Sequence, residues 1–228
     1  MDGHIYKSFD KELHDLKEKL LMVGGRVEQS IRDAVRSLEE RNSETAQRII
    51  DDDDVVDAEE IEIDEFCLRL LALRQPAARD LRFITTAMKV NYDLERIGDM
   101  AVNVAERVLE LNKEPQLKPY ITLPQMAQTV QQMLRDSLNA FVNEDPAAAR
   151  AVISEDEKVD HALKQIYHEL VNFMATDYGC VPRATRLLFI SKYLERIADH
   201  AVNIAELVAF MVEGTILRHH KHHEGEAQ

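Results

Sequence analysis

The sequence predicts an all-α protein made of two pseudo-symmetric three-helix bundles, the product of a tandem duplication. Three observations point there. The 228 residues include only 7 Gly and 6 Pro, aromatics are 6%, Trp is absent, and Glu, Lys, Arg, Leu and Ala abound, as in long helices. Apolar residues recur at steps of three and four through most of the chain. The phrase LERIGDMAVNVAE (94–106) returns as LERIADHAVNIAE (194–206), and 10 of the 13 positions are identical.

The elements follow in order. From Leu13, the residues Leu16, Leu20, Val23, Val27, Ile31, Val35 and Leu38 form one apolar stripe, predicting a helix that ends near Arg41 and is weakened locally by Gly24-Gly25. Asn42-Ser43 offers an N-cap for a second helix through Ile49, Val56, Ile63, Cys67 and Leu70. It should stop at Arg74-Gln75-Pro76, because proline disfavours the helical state of its predecessor. A third helix runs from about Ala78 to Asn112, and the two prolines of 113–122 mark a linker.

The pattern then restarts. Met126, Val130, Met133, Leu134, Leu138 and Phe141 make a fourth helix; Asp145-Pro146 caps a fifth, ended by Tyr178-Gly179; a sixth carries the second copy of the phrase. Arg32-Asp33 matches Arg135-Asp136, and Asp53–Asp57 matches Asp156–Asp160, both at an offset of 103, while the final helices match at 100. The second helix–helix turn is therefore about three residues shorter. Helices of this size span roughly 45 to 50 Å. The expected layout is a first repeat over 1–113, a linker at 114–120, a second repeat over 121–214 and a mobile His-rich tail over 215–228.

A net charge of −14 repels a phosphate backbone, and no basic patch is interleaved with aromatics, so nucleic-acid binding is not expected. Neither a signal-length apolar run nor 18 consecutive apolar residues occurs, which predicts a cytoplasmic protein. Cys67 and Cys180 are isolated and read as inert, reduced thiols.

The doubled phrase carries the candidate chemistry. At 100° per residue, Leu94, Ile97, Ala101, Val104 and Val108 share one face, while Glu95, Asp99 and Glu106 form a stripe about 40° wide beside it. Asn103 borders that stripe. On the preceding helix Asp53, Asp57 and Glu60 fall at i, i+4 and i+7, and the second unit keeps Asp156 and Asp160 but has Leu163 in the third place. In an antiparallel hairpin turning at Pro76, Asp57 lies level with Glu95 and Asp53 with Asp99. Asp160 with Glu195 and Asp156 with Asp199 are centred beside Tyr178-Gly179. Four level carboxylates repel strongly unless something positive joins them, an Arg or a metal ion. Arg96 and Arg196 point some 60 to 100° from the stripe, which makes them at best a partial counter-charge. A solvated polar face is the plain alternative, but an all-oxygen set suits Mg²⁺, Mn²⁺ or Ca²⁺, with iron also compatible. No histidine follows a Glu by three residues, so the pattern of a di-iron oxidase is lacking.

Two copies of LERI-[GA]-D-x-A-x-N-x-A-E, each preceded by D-x-x-[VI]-D, with RQPAARDLR in the first half, resemble the PhoU family from about Phe9 to Val212. The resemblance implies a cytoplasmic homodimer, peripheral to the membrane, that negatively controls the phosphate-starvation response of bacteria. The implied partners are the ATPase subunit of the phosphate ABC transporter and the phosphate-sensing histidine kinase. It further implies multinuclear metal clusters (Mg, Mn, Fe or Zn) on Asp53, Asp57, Glu60, Glu95, Asp99, Asn103 and Glu106, and on Asp156, Asp160, Glu195, Asp199, Asn203 and Glu206. With Leu163 replacing an acid, the second cluster is one ligand short. The alternative function is a metal-dependent hydrolase or oxidase. It would rest on metals alone, because neither a nucleophile triad nor a glycine-rich phosphate loop is visible. His200 beside Asp199 reads as a partly buried surface histidine, and the tract 218–223 as tail rather than ligand.

Overall fold

The computed structural model describes residues 2–76 and 78–214, and side chains from residue 8 onward. The His-rich tail expected over 215–228 lies outside the described residues. The helices are α1 (Asp2–Glu39), α2 (Ser43–Asp51), α3 (Asp53–Arg74), α4 (Ala78–Leu111), α5 (Thr122–Asn143), α6 (Pro146–Thr176) and α7 (Val181–Glu213), with a 3₁₀ turn at Tyr178–Cys180. No strand occurs among the described residues.

The expected helices form, with two differences. The first helix starts at Asp2 rather than near Leu13. Its added length is held from outside, since Arg74 at the end of α3 donates to Glu12 at 2.8 and 2.6 Å and to Ser8 Oγ at 3.1 Å. The expected single second helix breaks at Asp52 (φ −86°, ψ −1°) into α2 and α3. The break has an electrostatic cause. Four consecutive aspartates, Asp51–Asp54, crowd one turn, and restarting the helix moves Asp53 and Asp54 to a first turn, where the helix dipole stabilises them. The caps at Asn42 and Asp145 form as the sequence suggests: Asn42 accepts from Thr45 N at 3.0 Å, and Asp145 from Ala147 N and Ala148 N.

Gly24 does not interrupt α1. A Cβ there would run into Leu138 Cδ1, so this glycine lets α5 close on α1, whereas Gly25 faces open space. Each unit is a three-helix bundle: α1, α2/α3 and α4 in the first, α5, α6 and α7 in the second. One apolar core passes through both, with Leu16, Leu20, Ile31, Ile84, Leu94, Ile97, Met126, Phe141, Leu194 and Ile204 at or near zero exposure. The units meet where α4 runs antiparallel to α7. Arg82 Nε donates to Met211 O at 3.1 Å near one end of this seam, and Arg186 pairs with Glu110 at 2.6 Å near the other. The two hairpin tips therefore lie at opposite ends of the molecule. The segment after α4 is strapped down: Arg41 donates to Asn112 O and Glu114 O, Arg183 to Pro115 O at 3.0 Å, and Lys118 pairs with Glu169. None of the described helices is long and apolar enough to cross a membrane.

Candidate functional site

Each hairpin carries its carboxylates in the groove between two antiparallel helices. In the first groove α3 presents Asp53, Asp57 and Glu60, while α4 presents Glu95 and Asp99. Asp53 has its pKa raised above the ordinary carboxylate range by partial burial first, then by Asp57, Asp99 and Asp54. The charge of Asp99 thus reaches Asp53, as the level arrangement about Pro76 requires. Glu95 is likewise raised by burial and by Asp99, opposed by Arg96, with Glu60 rather than Asp57 acting across the groove. Glu60 is raised by burial, Asp64 and Asp57.

Asp64 belongs with these residues, and the sequence reading missed it. It lies one step beyond Glu60 in the i, i+4, i+7 series, at i+11. Asn91 on α4 donates to Asp64 Oδ1 at 3.1 Å and to Glu60 O at 2.9 Å, tying the α3 backbone to α4 below the groove.

The counter-charge in the first groove is larger than its angular position suggested. Arg96 reaches back to Glu95 at 2.5 Å and Asp99 at 3.0 Å, because its long side chain covers the arc that separates their Cα–Cβ directions. Its own burial works against its charge, yet Glu95 and Asp99 outweigh that and raise its pKa. Arg196 in the second copy is exposed, and no ion pair of it occurs among the described residues.

The second groove is built from Asp156 and Asp160 on α6 and Glu195 and Asp199 on α7. Asp156 is buried, at 6% exposure, whereas its counterpart Asp53 is half-exposed. Lys192 pairs with Glu195 Oε1 at 2.6 Å, while Glu195 Oε2 is buried without a hydrogen-bond donor. Part of Asp199 stays exposed. Its carboxyl is nevertheless pushed up to about 6, by desolvation first and then by Glu195 and Asp156, with Lys192 opposing and Asp160 adding.

Three expected ligands are engaged elsewhere. Asn103 Nδ2 donates back to Asp99 O at 2.8 Å, Glu106 pairs with Arg107 at 3.3 Å, and Asn203 Nδ2 lies 3.5 Å from Asp93 Oδ1. That last contact belongs to a partly buried trio across the seam. Asp93, 6% exposed, meets His200 Nδ1 at 2.7 Å, which fits the reading of His200 as partly buried and supplies the partner the sequence could not name. Cys67 is buried and its thiol is pushed up to about 12 by desolvation and by Asp64, as befits an inert thiol.

The donor set fits a hard cation: carboxylate oxygens, with Glu95 Oε2 and Glu195 Oε2 each buried and accepting no hydrogen bond. It is not preassembled. Among the described residues, no group of three or more His, Cys, Asp or Glu side chains stands in metal-holding geometry. A cleft of about 230 Å³, lined by Arg26, Asp33, Arg48, Asp52 and Gly98, touches the first groove only at Asp53. A larger groove, about 620 Å³, lies between α5 and α6, floored by Met133, Ala151 and Val152 and away from the carboxylate groove. Its charged lining is Asp136, Glu155 and Lys158, the last two paired with each other.

Known proteins are similar to this chain along nearly its whole length. The phosphate-specific transport system accessory protein PhoU homolog of Pseudomonas aeruginosa is 42% identical over 217 residues, spanning 95% of this chain and 90% of that protein. The PhoU accessory protein of Serratia marcescens is 35% identical over 219 residues, 96% of this chain and 90% of its own length. The crystal structure of PhoU from Pseudomonas aeruginosa superposes with a TM-score of 0.87 at 41% identity, covering 91% of this chain and 100% of that one. That of the phosphate transport system regulatory protein PhoU from Streptococcus pneumoniae gives 0.87 at 34% identity, covering 92% and 99%. With the PhoU domain model matching at 20–108 and again at 123–208, once on each three-helix unit, the chain belongs to the PhoU family.

Proposed function

We propose that this protein is an accessory and regulatory protein of phosphate transport, not an enzyme, which negatively controls the phosphate-starvation response and modulates phosphate uptake. It does so by docking onto the ATPase subunit of the phosphate ABC transporter and onto the phosphate-sensing histidine kinase. The full-length likeness to relatives named as phosphate-transport accessory and regulatory proteins supports this reading. The surface fits docking: two rigid bundles, a net charge of −14, and long helix faces. In this reading the protein is a cytoplasmic homodimer that reaches the membrane only through partners. It divides into repeats over 1–113 and 121–214, joined by a linker at 114–120.

The observation that carries the metal part of the proposal is the pair of acidic grooves at mirrored positions. The hydrophobic faces already account for folding, and like charges at i, i+4 destabilise an isolated helix by about 0.2–0.5 kcal/mol per pair. Repeated twice, such crowding is explained by a cation that binds there. Asp53, Asp57, Glu60, Glu95 and Asp99 would hold it in the first groove, and Asp156, Asp160, Glu195 and Asp199 in the second. A bound divalent cation would supply positive charge that draws the carboxylates together and locks one helix to the next.

The test replaces Glu95 with Gln and Asp99 with Asn together. Helical circular dichroism should remain, since the buried face is made by Leu94, Ile97, Ala101 and Val104 and not by the two acids. Reporter output and protein level are then read in the same cells at high phosphate. Normal abundance with the starvation response switched on would make the groove part of the signalling surface. Normal repression at normal abundance would sink the assignment of any role to the groove.

A further inference from the structure

Residues 92 and 192 occupy equivalent places, four before Arg96 and Arg196, but one is Tyr and the other Lys. The exchange changes what the following arginine does. The Arg96 guanidinium sits over the Tyr92 ring, 5.3 Å from its centroid, and from there contacts Glu95 at 2.5 Å and Asp99 at 3.0 Å. Sequence neighbours on a helix do not face each other, so Arg96 pairs with Glu95 only by folding back across its own turn. The ring of Tyr92, one turn earlier, provides a surface on which the folded guanidinium can rest. In the second copy Lys192 stands in that place. A second cation one turn before Arg196 repels it, and Lys192, three residues before Glu195, takes that carboxylate itself at 2.6 Å. Arg196 is left exposed on the outside.

We infer that Arg96, seated on Tyr92, is the resident counter-cation of the first groove, which an incoming divalent cation must displace, and that Lys192 in place of Tyr92 removes this device from the second groove. The inference rests on the proposed metal role of the grooves. Its consequence is an order of filling. The first groove has more carboxylates but begins partly neutralised on two of them. The second has Leu163 where the first has Glu60, yet Lys192 engages only one oxygen of Glu195, at 2.6 Å, and Asp199 has no ion pair among the described residues. The second groove should therefore take a divalent cation at lower concentration than the first, opposite to the order that counting acids gives.

The experiment titrates the full chain with Mn²⁺. In a background with the second groove silenced by Asp160→Asn and Asp199→Asn, Arg96→Gln should tighten Mn²⁺ binding by about tenfold, the loss of one competing unit charge a few ångströms away. Tyr92→Leu, which removes the ring without touching the charge, should move affinity the same way by a smaller factor. Arg196→Gln in the reciprocal background, silenced by Glu95→Gln and Asp99→Asn, should leave the second groove within about twofold. Unchanged or weaker binding in Arg96→Gln, or equal effects at Arg96 and Arg196, overturns the inference. Should Mn²⁺ bind none of these proteins, the metal reading itself fails, and metal-free melting then decides the rest. Arg96→Gln must lower Tm at low salt, less so at high salt, while Arg196→Gln must not. Equal melting of the two variants overturns the counter-cation role as well.

Discussion

In the α3–α4 hairpin the first helix restarts at Asp52 and Arg96 bridges Glu95 and Asp99; in the α6–α7 hairpin the first helix runs unbroken past Asp156 and Lys192 holds Glu195 alone. Both hairpins descend from one pattern and keep the same apolar faces, so the difference is electrostatic. Where four aspartates follow one another the helix gives way and a guanidinium is recruited. Where the run reads Ser154-Glu155-Asp156-Glu157-Lys158, with Lys158 pairing to Glu155 at 2.6 Å, the helix continues and the crowding falls on Asp199. Packing is thus the conserved part of the plan, and neutralisation is the part each copy settled by itself.

If packing is shared, mirrored core truncations should cost the same. Leu94→Ala and Leu194→Ala, both fully buried, should each lose about 2–5 kcal/mol in denaturant unfolding and differ from each other by less than roughly 1 kcal/mol. A large asymmetry would show that one unit carries the stability.

The seam should behave in the opposite way. Asp93→Ala strips His200 of its partner and should cost about 1–3 kcal/mol, while the counterpart change Tyr193→Phe should stay within roughly 0.5 kcal/mol. Comparable losses at the two positions would refute a one-sided polar lock.

The grooves should separate by pH. Asp199 has its folded pKa raised to about 6 from 3.8, so the folded state binds the proton more tightly than the unfolded chain. The ionised carboxylate therefore destabilises the fold fully above pH 6, and that penalty fades as pH falls toward 4. In chelator, Asp199→Asn should raise Tm at pH 7.5 and give no gain at pH 4. Asp99→Asn should give no such gain at either pH, because it also removes a partner of Arg96. A rise for Asp99→Asn equal to that for Asp199→Asn would mean that Arg96 does not neutralise the first groove.

The smallest effect concerns α1 alone. Gly25→Ala should stabilise by about 0.5–1 kcal/mol, the helix-propensity difference, since nothing lies near its Cβ position. Gly24→Ala should destabilise by pressing on Leu138. The two signs, read from Tm, test whether α1 and α5 approach as closely as described.

Much of this was legible from spacing. The apolar steps from Leu16 to Leu38, and the mirrored Asp53 and Asp99 about Pro76, follow from periodicity, which depends only on neighbours within a few turns. What escaped depended on reach or on distance along the chain. Arg96 was discounted because its Cβ points away, but five side-chain bonds let its charge return to the stripe. The part of α1 before Leu13 is held at Ser8 and Glu12 by Arg74, 62 residues away from Glu12. The Asp93–His200 pair joins residues 107 apart, and no local period can foretell it. Asp64, by contrast, needed only one more step along the same stripe.

The antiparallel meeting of α4 with α7 has a consequence for the history and handling of the chain. The face each unit turns to the other is largely closed to water and carries a single-sided polar lock, Asp93 against His200. A single unit expressed alone would carry that face bare, and the cheapest cover is another copy turned through half a revolution. An isolated half should accordingly travel in sedimentation as a twofold pair, the arrangement from which a fused gene would inherit its inner symmetry. By the same logic, a chain cut within 114–120 should stay one particle, its pieces held by the buried seam and by the straps from Arg183, Arg186 and Lys118.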